Sequence, residues 1–221
     1  MVDGYRLTIA SIQTLIFWEK FMIAIRSRNL VQLDANSSTA TELLELLHAG
    51  DKHWDSTVSN IFFQARQLAA SAVSENSESS LIVAALLFRP CQILASGTLQ
   101  AGDWTSDSLQ ETGTYDWLER NFGKEIAETI RLQPFAKRFL ATVIPKYFSC
   151  LTTNAQCRVV SDGGFMTASE RMTFGNNRCH HYAMRIASWI DRGVERHVQV
   201  PEMDFFRPFI EHAIGAFGTP R

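Results

Sequence analysis

Residues 81–94 have the sequence LIVAALLFRPCQIL, and this stretch decides the fold. The residues before Arg89 are all apolar, which is typical of a helix that is buried on every side in the centre of a protein. Pro90 is expected to bend or end the helix, because proline has no amide hydrogen to donate and its ring crowds the preceding turn. A helix this apolar needs other helices around it to form a core.

Apolar residues recur at helical spacing on both sides of this central helix, and no stretch has the alternation of a strand or an internal repeat. Asp162-Gly163-Gly164 predicts a turn, and Thr167-Ala168-Ser169-Glu170 is a capping box that opens a helix. The pattern alone predicts an all-α, single-domain helical bundle. A further helix is predicted to begin at Thr39 or Thr41 and to run through Leu47. The other predicted helices cover residues 58–72, 109–121, 124–132, 134–139, 179–192 and 205–217, with a short turn of helix after Pro145.

The composition excludes several classes of function. Hydrophobic residues make up 46% of the chain and charged residues 20%, which is ordinary for a globular protein and too apolar for a disordered one. The formal net charge is -2 with no basic stripe, so a nucleic-acid partner is not expected. The four cysteines lack CxxC spacing, and scattered thiols of this kind favour a reducing, cytoplasmic location.

The N-terminal segment is predicted to be separate from the main domain. Residues 7–25 are rich in apolar side chains, but Glu19 and Lys20 leave no run long enough to span a bilayer. The helical spacing favours an amphipathic helix that packs on the core or on a second copy of the chain. We therefore expect a helix and linker over residues 1–35, a helical domain over residues 36–221, no membrane span, and a homodimer as a candidate assembly.

Common catalytic motifs are missing. The sequence has no GxGxxG, P-loop, GxSxG or HExxH pattern and no zinc-type spacing of cysteine and histidine. Tyr147, His180 and His181 are candidate acid–base groups only because such side chains titrate or donate protons. Pattern alone therefore gives a fold class and no function.

Five stretches, in order, resemble the HD-domain mixed-valence diiron oxygenases that cleave organophosphonates. They are AALLFRPCQ at residues 84–92, Gln110-Glu111 before Trp117-Leu118, RLQPFAKRFL at 131–140, DGGFM at 162–166 and MRIASW at 184–189. The family has AALLHDIGH, a His-Glu pair before Trp-Leu, RLHxxAKRYL, QGGPM and LRxWDD in these places. The resemblance covers most of the chain, from about residue 43 to residue 214, and implies an HD-domain-like bundle.

The resemblance also implies that the family's metal ligands are absent here. Phenylalanine and arginine cannot ligate iron, and neutral glutamine and serine are poor ligands for it. We therefore expect no metal and no other cofactor, and do not carry over the family's metal-dependent chemistry. The aligned positions are Phe88 and Arg89 for the His-Asp pair, Gln92, Gln110 and Gln133 for three histidines, Ser188 for a carboxylate, and a residue near Phe63 for the first histidine.

Two cations match residues that hold the substrate's anionic group in the phosphonate-cleaving family. Lys137 aligns with the lysine of AKR and Arg185 with the arginine of the last helix, so the two resemble an anion clamp. The alternative is that both are solvated, or paired with acids such as Glu128 or Asp191.

The polar replacements suggest a rebuilt pocket for a small-molecule ligand, because drift into a buried site more often leaves small or apolar residues. The first hypothesis is a metal-independent isomerase, cyclase or lyase acting on a small polar or anionic molecule, for example in secondary metabolism. The alternatives are a ligand-binding protein, or a non-catalytic HD-domain pseudoenzyme that partners an active enzyme; the replacements could also fill the core by bonding to one another. The predicted catalytic residues are Arg89, Gln110 and Gln133, and the predicted ligand-binding residues are Lys137, Arg185, Phe63, Phe88, Gln92 and Ser188.

Overall fold

A computed structural model describes residues 40–41, 43–45, 47–48, 56–96, 113–192 and 200–218. Regular secondary structure in these ranges is entirely helical, so the predicted all-α class is confirmed. The segment 1–35 and Gln110 lie outside the described residues, so the predictions for them stay predictions. No helix in the described ranges is long and apolar enough to cross a membrane.

The described helices follow one another in chain order. Helical residues occur between positions 40 and 48, before the first fully described helix. The helices are α1 (Ser56–Ser74), α2 (Ser79–Ser96), α3 (Thr114–Phe122), α4 (Lys124–Arg131), α5 (Gln133–Val143), α6 (Tyr147–Cys150), α7 (Thr153–Ser161), α8 (Ala168–Asn176), α9 (His180–Arg192), a 3-10 turn (Met203–Phe206) and α10 (Arg207–Gly218).

Helix α2 is the central helix, as its composition predicts. Its side chains from Leu81 to Phe88 are all buried, and α1, α4 and α10 pack around it. Of the two effects expected at Pro90, an end of the helix is not observed, because α2 continues beyond Pro90 to Ser96. A proline removes one backbone hydrogen bond, and the burial of this helix on all sides is the contribution that offsets this loss.

Two separate clusters of buried side chains hold the domain together. The major core surrounds α2, and the minor core lies between α5, α8 and α9. Helix α9 contributes to both clusters, with Ile186 and Trp189 in the major core and Ala183 and Ala187 in the minor core, so the boundary between the two cores runs along this helix. The major core includes Leu44, Phe62, Leu86, Leu118, Ile130, Ile186 and Phe206, and the minor core consists of Leu132, Ala136, Met166, Phe174, Cys179, Ala183 and Ala187.

The sequence pattern predicts α8 correctly and misses α7. The side chain of Thr167 accepts from the amide of Glu170, and the Glu170 side chain accepts from the amide of Thr167, which is the predicted capping box. Helix α7 begins after Thr152, whose hydroxyl accepts from the amide of Ala155. Only Val159 of α7 is buried, so the helix has almost no apolar periodicity for a pattern search to find.

Candidate functional site

A cavity of about 630 Å³ opens where the second half of α2 meets α5, α7 and α9. This volume is within the usual range of sites for small molecules. The cavity therefore favours an open pocket over the alternative of a filled core. Its polar and charged lining residues include Gln64, Arg89, Gln92, Gln133, Lys137, Tyr147, Arg158, Asp162 and Asp191, and its apolar lining includes Phe88, Pro134, Leu151, Ala155 and Ile190.

Arg89 contributes a buried guanidinium to the cavity wall. Its Nη1 donates to Oε1 of Gln92 at 2.9 Å, and its guanidinium carbon lies 5.7 Å from the centre of the Phe88 ring. Its Nε–H is buried and has no hydrogen-bond partner in the part of the chain that the structure describes. Burial, and to a smaller extent repulsion from Arg158, lowers the pKa of Arg89 to about 10, so the group remains charged at neutral pH.

Gln133 contributes an oriented amide at the start of α5. Its Nε2 donates to the carbonyl of Thr129 at 3.3 Å and to the carbonyl of Ala183 at 3.2 Å. Its Oε1 is buried and accepts no hydrogen bond from any described residue. The amide thus joins α4, α5 and α9 and leaves one acceptor unused.

Arg158 and Asp162 reach the cavity from α7 and from the turn that follows it. Arg158 is half-buried and makes no hydrogen bond or ion pair with the described residues. Desolvation raises the pKa of the Asp162 carboxyl, and the nearby charges of Arg158, Arg138 and Lys137 act against that rise. Arg158 therefore interacts electrostatically with both Arg89 and Asp162 across this region.

The polar side chains on the wall formed by α5, α6 and α9 pair with one another. The ammonium of Lys137 lies 2.9 Å from a carboxylate oxygen of Asp191, and the hydroxyl of Tyr147 donates to the other oxygen. Burial and the hydrogen bond to Asp191 raise the pKa of Tyr147 well above its ordinary value. Tyr147 is consequently a donor here and not an accessible base.

Arg138 fixes the turn that carries Asp162. Its guanidinium donates to the carbonyl of Gly164 at 2.9 Å and to the carbonyl of Gly163 at 3.3 Å. It also forms an ion pair with Glu170, the glutamate of the α8 capping box, at 2.5 Å. One buried side chain of α5 thus holds the connection between α7 and α8.

The predicted site residues fall into three groups. Phe88, Arg89, Gln92, Gln133 and Lys137 line the cavity together. Arg185, Ser188 and Phe63 are not part of the lining, and Gln110 lies outside the described residues.

The predicted clamp of Lys137 and Arg185 is not assembled in the cavity. Arg185 donates to Glu75 at 3.1 Å and lies over the ring of Trp189, away from the cavity lining. Lys137 pairs with Asp191, which was the alternative weighed for it. His180 and His181 also lie outside the lining.

Sequence reasoning missed two charged members of the lining, Arg158 and Asp162. Arg158 belongs to α7, which the pattern did not predict, so nothing placed it near α2. The capping threonine Thr152 was the available signal for that helix. Asp162 was interpreted as part of a turn and of the DGGFM stretch, and was given no role in the site.

The lining does not fit an iron pair. Such a centre needs several imidazoles and carboxylates whose lone pairs converge on the metals. The described lining contains no histidine and two carboxylates, Asp162 and Asp191, and the second is already paired with Lys137. Throughout the described ranges, no three histidine, cysteine, aspartate or glutamate side chains gather into a group that could hold a metal ion.

A helical bundle with a polar cavity beside its central helix, together with the five ordered sequence stretches, resembles the class of HD-domain proteins of the phosphonate-oxygenase branch. The comparisons agree with this class. The chain is 29% identical over 176 residues to hydroxymethylphosphonate dioxygenase from Gimesia maris, covering 79% of this chain and 87% of that protein. It is 24% identical over 148 residues to [1-hydroxy-2-(trimethylamino)ethyl]phosphonate dioxygenase (glycine-betaine-forming) from Leisingera caerulea, covering 67% of this chain and 76% of that protein. No family model matches the chain.

The resemblance predicted from the sequence is thus confirmed, and the predicted function is wrong. Both relatives are named as dioxygenases, so nothing among them supports a metal-independent isomerase, cyclase or lyase. Neither is named as a non-catalytic partner of another enzyme, so that alternative gains no support. The error came from inferring a reaction type from the polar residues at the aligned positions. Such residues indicate what a pocket can bind and do not identify a reaction.

Proposed function

We propose that the chain binds a small organophosphonate in this cavity and holds its anionic group between Arg89 and Arg158. The observation that carries the proposal is the convergence of two guanidiniums in one cavity, where they repel each other and neither has a carboxylate partner within ion-pair distance among the described residues. Two such charges are stabilised together when an anion lies between them. A phosphonate group has three oxygens that can accept from both.

The rest of the lining is consistent with this arrangement. Lys137 is neutralised by Asp191, so the unpaired positive charge of the cavity is that of the two arginines, opposed by Asp162. Phe88 and Ile190 supply apolar surface for the carbon part of a small ligand.

The relatives support the choice of ligand class. Both are named for reactions of phosphonates, hydroxymethylphosphonate in one case and a trimethylamino-substituted hydroxyethylphosphonate in the other. The proposal is limited to recognition of such a ligand. It includes no oxidation step, because the described lining does not fit the metal centre that such a step would need.

Calorimetric titration with hydroxymethylphosphonate tests the proposal. We expect binding by the native chain, and we expect Arg158→Met to weaken it by about 30-fold or more, since a charge-assisted contact in a desolvated site contributes roughly 2–5 kcal/mol. Arg171→Met is the matched control, because Arg171 is also a helical arginine but is exposed on α8 and outside the cavity. Absence of binding to the native chain at millimolar ligand, or equal binding by Arg158→Met, would refute the proposal.

A further inference from the structure

One wall of the cavity is a segment of chain that contributes nothing to either core. Residues 147–158, which comprise α6 and most of α7, supply seven of the lining residues, yet none of residues 142–158 is buried. The next buried side chain along the chain is that of Val159. The opposite wall is different, because Phe88 and Gln133 are buried in it. Since buried apolar surface is the main attachment of a helix to a protein, the segment 147–158 is held far more weakly than α2 and α5.

The hydrogen bonds of this segment are mostly internal. Nε2 of Gln156 donates to the carbonyl of Phe148 at 2.9 Å and to the carbonyl of Leu151 at 3.2 Å, which joins α6 to α7. Among the described residues, one side-chain hydrogen bond connects the segment to another helix, the bond from the hydroxyl of Tyr147 to the carboxylate of Asp191 in α9. The segment therefore loses its attachment to α9 when this bond breaks.

The backbone differs at the two ends of the segment. Lys146 precedes it with a φ of +67°, a left-handed conformation that residues with a Cβ adopt only under constraint. After the segment, Val159 is buried, and Arg138 donates to the carbonyls of Gly163 and Gly164. A rotation at Lys146 would relieve its strain without disturbing these later contacts. The segment thus has a hinge at its start and an anchor at its end.

Electrostatics acts against the closed position of the segment. Arg158, at its end, repels Arg89 of α2, and neither has a carboxylate within ion-pair distance among the described residues. The attraction between Arg158 and Asp162 operates within the anchored end and does not hold the segment to α2. The bond from Tyr147 opposes the repulsion between the two arginines.

We infer that residues 147–158 form a flap over the cavity, and that the hydrogen bond from Tyr147 to Asp191 is the latch that keeps this flap closed. Opening of the flap widens the entrance to the cavity and moves Arg158 away from Arg89. An anion bound between the two arginines replaces their repulsion with two attractions, so binding favours the closed flap. This coupling rests on the proposed function, whereas the flap and its latch rest on contacts within the protein alone.

Hydrogen–deuterium exchange measured by mass spectrometry tests the flap without a ligand. Helices α7 and α8 are a matched pair, because each has nine residues and one buried side chain, Val159 in one and Phe174 in the other. A helix this short is not stable in water when it leaves the protein, so its amides exchange when the flap opens. We expect the amides of α7 to exchange about tenfold faster than those of α8, or more, since α8 stays in place.

Tyr147→Phe tests the latch, because it removes the hydroxyl and keeps the ring. We expect exchange in α7 to rise about fivefold, the effect of losing one hydrogen bond of ordinary strength on an opening equilibrium, and exchange in α8 to stay unchanged. Tyr182→Phe is the control. The hydroxyl of Tyr182 also donates to one carboxylate, that of Glu78 at 2.7 Å, but outside the cavity, so its loss should leave α7 unchanged.

The outcomes separate the flap from the proposed function. Protection of α7 equal to that of α8 in the native chain would overturn the flap, and this comparison needs no substitution. Unchanged exchange in Tyr147→Phe, or an equal rise in α7 and α8, would overturn the latch. Hydroxymethylphosphonate should slow the exchange of α7, and a bound complex in which α7 exchanges as fast as in the free protein would overturn the coupling. If this phosphonate does not bind, the proposed function and the coupling fail, while the results without ligand still decide on the flap.

Discussion

At the scale of single residues, the backbone conformation at Gly163 disfavours any residue other than glycine. Its φ is +111°, a region that residues with a Cβ rarely adopt, and an added Cβ would lie 3.2 Å from the guanidinium carbon of Arg138. We expect Gly163→Ala to lower the free energy of unfolding by roughly 1–3 kcal/mol in urea denaturation. Gly175→Ala is the control: Gly175 is helical with open space around it, so alanine should leave stability unchanged or raise it by up to about 1 kcal/mol. Equal stability of the two variants would show that the turn tolerates a side chain.

Cys150 offers a direct probe of the cavity. It is exposed and belongs to the lining, whereas Cys157 is exposed and lies outside it. Saturating hydroxymethylphosphonate should therefore slow the alkylation of Cys150 by iodoacetamide several-fold and leave that of Cys157 unchanged. Peptide mass spectrometry at increasing times measures both rates in one sample. Equal rates with and without ligand at Cys150 would place the ligand elsewhere.

At the scale of helices, the carboxylate of Glu75 attaches α9 to the turn between α1 and α2. It accepts hydrogen bonds from Arg192 at 2.6 Å, Trp189 at 2.8 Å and Arg185 at 3.1 Å. These hydrogen bonds, that from Arg192 first, lower the pKa of Glu75 from 4.5 to about 2. A carboxylate with a lowered pKa stabilises the fold above its unfolded pKa, and this contribution is lost as the pH falls from 4.5 to about 2.

We accordingly expect Glu75→Gln to destabilise the protein at pH 7 and to have little effect near pH 2. The group is partly exposed, so solvent screening limits the difference at pH 7 to about 1 kcal/mol. Urea denaturation of the native chain and the variant between pH 2 and pH 7 measures this difference. Glu125→Gln, at an exposed position of α4, is the control for the loss of one carboxylate. A difference that stays constant with pH would assign the effect of Glu75 to packing.

The helices also show how far the sequence could predict this molecule. Helices α1, α2, α4 and α9 were predicted within a few residues of their observed bounds. The prediction of α2 rested on a continuous apolar run, and those of the other three on the apolar period of a buried face. Helix α7 gave no such period, and with it Arg158 was lost from the predicted site. The resemblance aligned Arg185 with a ligand-binding residue of the family, and here Glu75 holds that side chain away from the cavity. Alignment places a backbone position, whereas local charges decide where a long side chain points.

At the scale of the whole molecule, binding in the cavity should raise thermal stability. A ligand that binds only the folded state stabilises it by about 2.7 kcal/mol when present at 100 times its dissociation constant. For a domain of this size, that corresponds to a rise in Tm of roughly 5–10 °C. Differential scanning calorimetry with hydroxymethylphosphonate should show this rise for the native chain and for Arg171→Met, and a much smaller rise for Arg158→Met at the same ligand concentration. An equal rise in all three would indicate a site that does not involve Arg158.

The separation into a major and a minor core has a consequence for local opening. Phe88 belongs to the major core, and Gln133 and Pro134 lie beside Leu132 and Ala136 of the minor core, so the cavity wall is drawn from both sides of the boundary. Without ligand, the smaller cluster can exchange its amide hydrogens through a partial unfolding that leaves α2 intact. A bound ligand would have to leave before that opening, and amides of α5 would then exchange with solvent on the slower timescale of α2. Two regions with different exchange rates would thereby become one cooperative unit.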